Sequence, residues 1–204
     1  MDNKRFSWES YGQLLHLPSN SLLFRQGDLG TGFYYLKEGE IKISIVSDNG
    51  DERLIDYCYP GELIGEHGIH ESSYLTTAET TIDSRLYYFS LKSFSDLCTN
   101  VPEAAEDISL SLTSKVRMLM DIKSILNAPV EVQLAHLFNR FYEKTGKSEI
   151  PLSQTTISNF VGMSRVTVWK KLKEWRRENI ITISDRIIYL HDIEKIRHKL
   201  KLFI

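Results

Sequence analysis

Cysteine is scarce in this chain: Cys58 and Cys98 are the only two among 204 residues, and they lack CxxC spacing. That excludes an intrachain disulfide framework, a zinc ribbon and a four-cysteine iron–sulfur site. Two buried, inert thiols are the simplest expectation. No run of 18 apolar residues occurs, so no membrane span is expected. The segment from Met1 to Leu17 mixes Asp2, Lys4, Arg5, Glu9 and His16 with aromatics and has no apolar signal-peptide core, which predicts a cytoplasmic protein. Nucleophile motifs, phosphate-binding glycine loops and metal-ligand spacings are also lacking. His67 and His70 have too few neighbouring ligands for a cupin-like metal site, so neither an enzymatic activity nor a resident cofactor is expected.

What is present is ordinary in amount and uneven in distribution. Hydrophobic residues make up 42% and charged residues 25%, enough for packed cores in one large domain or two modest ones. The net charge of −2 conceals a division at Pro129. From there to the end, 14 Lys/Arg face 8 Asp/Glu, a net of +6; before it, 11 face 19, a net of −8. Such asymmetry points to a nucleic-acid-facing half and a half that avoids polyanions.

Residues 20–90 read as strands. Phe33-Tyr34-Tyr35-Leu36, Ile41 to Val46, Arg53 to Tyr57 and Arg85 to Phe89 are β-rich, and turn signals lie between them. Gly27, Gly39, Gly50 and Gly61 recur at steps of 12, 11 and 11, as in a compact β roll or sandwich. Asn49-Gly50 predicts a hairpin with a type I′ turn, positive φ at both central residues. After Ser90 the period changes. Leu91 to Leu97 can form a short helix, and Asn100-Val101-Pro102 opens a long one. Along it Ala105, Ile108, Leu112, Lys115, Leu119, Ile122 and Leu126 alternate in steps of three and four. That heptad seam fits self-pairing in a coiled coil or docking on the chain's own β domain, and its 3.5 period favours self-pairing. Lys115 is the one charged residue in the seam. It lowers stability there unless it snorkels or meets an anion. Asn127-Ala128-Pro129 ends the helix, and Val130 to Lys144 forms another, closed by Thr145-Gly146.

The stretch from Leu152 to Leu172 carries the functional signal. It predicts two helices joined at Gly162, with Ser153 capping the first and Ser164 the second. Ile157, Val161, Val168 and Leu172 form the apolar face; Arg165, Val166, Thr167 and Lys170 lie away from it, near the start of the second helix. That is where a recognition helix meets base edges in the major groove. Six of residues 164–177 are Lys or Arg, against Glu174 alone. A hairpin follows, from Asn179 to Ile183 and Arg186 to Leu190 around Ser184-Asp185, and makes the module a winged helix-turn-helix.

The sequence resembles the Crp/Fnr transcription regulators over nearly its whole length. Phe24 to Asp28, Tyr34 to Lys42, Pro60-Gly61-Glu62 and Ile64-Gly65-Glu66 match the order and spacing of the family's β-roll segments. The resemblance implies an α+β protein: a cyclic-nucleotide-binding-domain-like jelly roll over residues 1–100, a long dimerisation helix and hinge over 101–128, and a winged helix-turn-helix over 129–204. It also implies a bacterial homodimer, paired through Ile108, Leu112, Leu119, Ile122 and Leu126, on a palindromic double-stranded operator. An effector pocket is implied between roll and helix, involving Gly65, Glu66, Leu75, Thr76 and Lys115. RNA polymerase is a further partner that such a regulator can have.

In cyclic-nucleotide-binding members an arginine follows the glycine–glutamate pair by about ten residues and holds the phosphate. Here Leu75 and Thr76 stand in that place. A buried cyclic phosphate without a cation would be an uncompensated charge, which argues against cyclic AMP. A closer resemblance is to the halorespiration regulators that sense chlorinated phenolic acids. It rests on Glu38 to Lys42, Leu63-Ile64-Gly65, Pro151 to Gln154, Val166-Thr167-Val168 and Arg177 to Ile180. Their central-helix lysine faces the phenolate, and the matching residue is Lys115, so the effector implied is a small aromatic organic acid. Many members place a glutamate after the arginine to accept from cytosine. Val166 cannot accept a hydrogen bond but can pack on a thymine methyl, which predicts A·T-rich half-sites. Arg165 is expected on a guanine or phosphate with Lys170 nearby, and Ser153 and Gln154 on phosphates. A haem- or redox-linked regulator of the same fold, and a sensory adaptor that binds a protein rather than DNA, are the alternatives.

Overall fold

The computed structural model describes residues 8–50 and 52–201. Two compact units form, Met1–Met118 and Leu119–Ile204. The first is built from eight strands: β1 (Gln13–Leu17), β2 (Leu22–Phe24), β3 (Gly32–Glu38), β4 (Ile41–Val46), β5 (Glu52–Cys58), β6 (Leu63–Ile64), β7 (Thr77–Thr80) and β8 (Ser84–Ser90). They make two antiparallel four-stranded sheets, ordered β1-β8-β3-β6 and β2-β7-β4-β5, the jelly roll expected.

Side chains alternate across a strand, so a stretch of strand covered on both faces must be apolar at successive positions. This is the case for Phe33–Leu36 of β3 and Leu86–Phe89 of β8. Tyr34, Leu36 and Leu86 turn into the core between the sheets with Phe24, Ile41, Cys58, Ile64, Tyr74 and Ala78. Phe33, Tyr87 and Phe89 turn the other way, into a second core with Trp8, Leu63, Leu97, Ala104 and Ile108. The second core is closed by α1 (Leu91–Asn100) and the first turns of α2 (Glu103–Ile125). The aromatic runs in the sequence are therefore doubly buried strands, whereas β4 alternates in sequence only: a register shift between Ile43 and Ser44 leaves Ile41 and Ser44 buried and Ile43 and Ile45 half-buried. Cys58 is buried as expected and Cys98 is half-buried.

The β4–β5 hairpin forms, but not with the turn the sequence suggested. Gly50 donates to the Ser47 carbonyl at 2.8 Å, and Gly50 has φ 84° while Asn49 is not among the positive-φ residues. Between the paired residues Val46 and Glu52 the connection is longer than two residues, and among its described residues Gly50 is the left-handed one.

The second unit contains α3 (Val130–Thr145), β9 (Glu149–Ile150), α4 (Gln154–Val161), α5 (Arg165–Arg177), β10 (Ile181–Ser184), β11 (Ile187–Leu190) and α6 (Ile193–Lys201). β10, β11 and β9 form a small antiparallel sheet, in which β9 is a strand the sequence reading did not foresee. The wing turn lies one residue later than expected, at Asp185 and Arg186, which have φ of 50° and 66°. No helix among the described residues is long and apolar enough to cross a membrane.

Candidate DNA interface and effector site

Helix α5 is held from one side and open on the other. Val168, Leu172 and Trp175, at steps of four and three, are fully buried. The indole of Trp175 meets Phe138 of α3 edge-on, and its Nε1–H donates to Glu131 at 3.1 Å. Lys199 of α6 donates to the same carboxylate at 2.6 Å. Burial would raise the Glu131 carboxyl, but these two donors outweigh it and hold it below the usual carboxylate range. One ionised group thus ties α5 to both of its neighbours.

The N-termini of α4 and α5 are capped as expected. Ser153 Oγ accepts from Thr156 N–H at 3.0 Å, and Ser164 Oγ from Thr167 N–H at 3.2 Å. Between the helices Gly162 has φ 64° and donates to Ser158 C=O, a left-handed cap that a β-carbon would strain. Gln154, Arg165, Val166, Thr167 and Lys170 are all exposed, Val166 at 65%. Among the described residues neither Arg165 nor Lys170 has an ion-pair partner, whereas Lys171 is paired with Glu174. Removing the α5 cap by Ser164→Ala is expected to cost about 1 kcal/mol of stability, measured by thermal unfolding.

In the first unit, Gly65 leads into a 3₁₀ segment, Glu66–Glu71, with φ 81°. A β-carbon on it would lie 2.9 Å from Phe24 Cε1, so both backbone and space demand glycine. Glu66 is 3% exposed. Its Oε1 accepts from Ser111 Oγ at 2.7 Å, and its Oε2 pairs with Lys115 Nζ. Lys115 Nζ also donates to the Leu63 carbonyl at 2.7 Å. Beside this pair His67 packs edge-on against Phe24 and Tyr74. Burial, and then the charge of Lys115, push its pKa down, and its Nε2 has no partner among the described residues. The His70 side chain lies outside the described residues. Among the described residues no group of three His, Cys, Asp or Glu could hold a metal ion.

Leu75 is 68% exposed and Thr76 half-buried, and neither hydrogen-bonds to Glu66 or Lys115. The structure thus joins Gly65, Glu66 and Lys115 but leaves the other two expected effector residues outside. The helical seam is divided too. Ile108, 6% exposed, belongs to the sensor core, and Ile122 is also buried, whereas Leu112, Leu119 and Leu126 are exposed. Val116 and Met120, which the heptad reading did not include, are exposed as well.

The cyclic nucleotide-binding domain profile matches residues 14–100, and the Crp-like helix-turn-helix profile residues 132–199. The chain belongs to the Crp/Fnr family of transcription regulators. It is 21% identical over 184 residues to the transcriptional activator protein Anr of Pseudomonas protegens, covering 86% of this chain and 75% of that one. To the CRP-like cAMP-activated global transcriptional regulator of Mycobacterium tuberculosis it is 26% identical over 196 residues, covering 92% and 88%. The fold is similar to that of CprK solved in complex with OCPA, with a TM-score of 0.74, 24% identity and coverage of 96% and 92%.

As a Crp/Fnr regulator the protein binds DNA, and α5 is its exposed basic helix. Two features of its sites were not read from the sequence. Glu66 and Lys115 are 49 positions apart, and no local pattern pairs them. Arg186 lines a cavity of about 300 Å3 with Ser153, Gln154 and Leu172, at the start of α4. The signal for it was the short polar wing turn, which the sequence placed at Ser184-Asp185.

Proposed function

We propose that this protein is a homodimeric regulator that reads an A·T-rich palindrome and is controlled by a small aromatic organic acid bound beside Lys115. The observation that carries the DNA half is the free face of α5. Arg165 and Lys170 have no ion-pair partner among the described residues, and Val166 is exposed between them on a helix whose opposite face is fully packed. Arg165 reaches a guanine edge or phosphate, Val166 packs on a thymine methyl, and the N-terminus of α4 with Ser153 and Gln154 meets the backbone. Arg186 adds a backbone contact from the wing.

Arg165→Ala is expected to weaken operator binding by roughly 1–3 kcal/mol and to blur specificity at one base position. Selection from random DNA should return A·T-rich half-sites; G·C-rich half-sites would contradict the role given to Val166. Binding should weaken steeply with added salt because phosphate contacts release counterions. A salt-insensitive interaction would favour the protein-binding adaptor instead.

The effector half rests on a lysine placed at a buried site of the sensor and on the similarity to CprK, which was solved with OCPA. Against a cyclic nucleotide stands the place of Leu75, exposed and uncharged. Lys115→Met, assayed below its unfolding transition, should abolish both effector binding and effector-dependent DNA binding. Retention of both would end this reading.

A further inference from the structure

Lys115 is not waiting for an anion; it already has one. The Glu66 side chain is 0% exposed, and both of its oxygens are engaged from a single turn of α2. Ser111 and Lys115 are four residues apart, so they stand on one helix face and hold one carboxylate oxygen each. The ammonium spends a second hydrogen on the Leu63 carbonyl, at 2.7 Å. On the other side, Glu66 follows Gly65, whose left-handed backbone has no room for a β-carbon beside Phe24.

A phenolate or carboxylate arriving at Lys115 therefore meets Glu66 across the same ammonium. Two anions sharing one partly buried cation repel each other and are poorly solvated. His67 does not supply a second cation, since burial and Lys115 both disfavour its charged form. One of the two anions has to leave.

We infer that Glu66 is a built-in competitor for the effector: it occupies Lys115 in the unliganded sensor, and an anionic effector is admitted only by turning this carboxylate out. The Ser111–Glu66–Lys115 contact then sets the concentration at which the sensor responds. Its rupture frees the 3₁₀ segment from α2 and couples arrival of the ligand to movement of that helix. This inference rests on the reading of Lys115 as the effector's partner, and deepens it.

Isothermal titration with a dichlorophenol, at a pH where the phenol is ionised, tests it on the full-length protein. Glu66→Gln keeps hydrogen-bonding capacity for Ser111 and Lys115 but removes the competing charge. It should bind the phenolate about tenfold more tightly than wild type. Ser111→Ala keeps the charge pair and loosens only its anchoring, so it should gain about threefold and serves if Glu66→Gln folds poorly. A dichloroanisole, which cannot ionise, should gain nothing from either change. Wild-type binding with no gain in either variant, or an equal gain for the anisole, would overturn the competition while leaving the effector reading intact. If neither wild type nor variants bind dichlorophenol, the effector reading fails and the inference with it.

Discussion

Leu119→Glu is expected to leave the protein monomeric and to reduce operator affinity by about a hundredfold or more. The residue is half exposed in the chain, in an exposed apolar stripe of α2 with Leu112, Val116 and Met120. These positions advance by four, three and one, which keeps them within one sector of the helix. Ile108 and Ile122 lie round to the side that packs within the chain. In the proposed homodimer this stripe is the surface that the second copy covers, and a carboxylate at its centre would be buried without a partner. Loss of the second copy removes one half-site contact. Linking two modules contributes about 10²–10⁴ in avidity, so the DNA-binding loss should be of that order. Light scattering reads the first effect and titration of operator DNA the second. A variant that remains dimeric would place the interface elsewhere.

Lys115→Met, in the absence of any effector, is expected to destabilise the protein by about 3 kcal/mol, because it leaves the Glu66 carboxylate buried and unneutralised. The figure is at the lower end for a broken buried pair: Ser111 still donates to Glu66, and the lysine side chain is 32% exposed. The double variant Glu66→Gln/Lys115→Met should recover all but about 1 kcal/mol of this loss, since a neutral amide tolerates the apolar neighbour. Urea unfolding of wild type, both single variants and the double variant gives the coupling between the two residues directly. If the double variant is as unstable as Lys115→Met alone, packing of the lysine stem, not charge, is what the substitution removes.

The parts of the fold that were legible in the sequence are those where local chemistry and long-range packing agree. Ser153, Gly162 and Ser164 cap and join α4 and α5 in the conformations their side chains prefer, so the helix-turn-helix could be read from a few positions. Strands β3 and β8 announced themselves by aromatic density, although the sequence could not say that both faces are covered. Turns were less legible. Asn49-Gly50 has the composition of a two-residue turn but sits in a longer loop, while Asp185-Arg186 adopts two left-handed residues without a glycine. The heptad seam was legible as apolar periodicity and not as sides: a helix packed along one side and bare along the next presents apolar residues at both, and periodicity does not say which side is which. The effector site was the least legible. Lys115 stood out as a charge among apolar residues, but its partner is supplied by the tertiary fold from Glu66, and no spacing rule reaches that far.

The pairing of β1 with β8 bears on how the protein is made. Gln13 lies opposite Tyr88, and Leu17 opposite Ser84. During synthesis, the first of these strands to leave the ribosome can find its place only after the last strand of the roll has followed it. Contacts so distant in sequence are slow to form, and an apolar strand left unpaired meanwhile is open to wrong association. Helix α3 is under a similar delay, because it packs chiefly against α6, the last of the described helices. Nascent chains arrested just before residue 84 should therefore expose β1 to proteolysis, whereas chains that have released β8 and α1 should protect it.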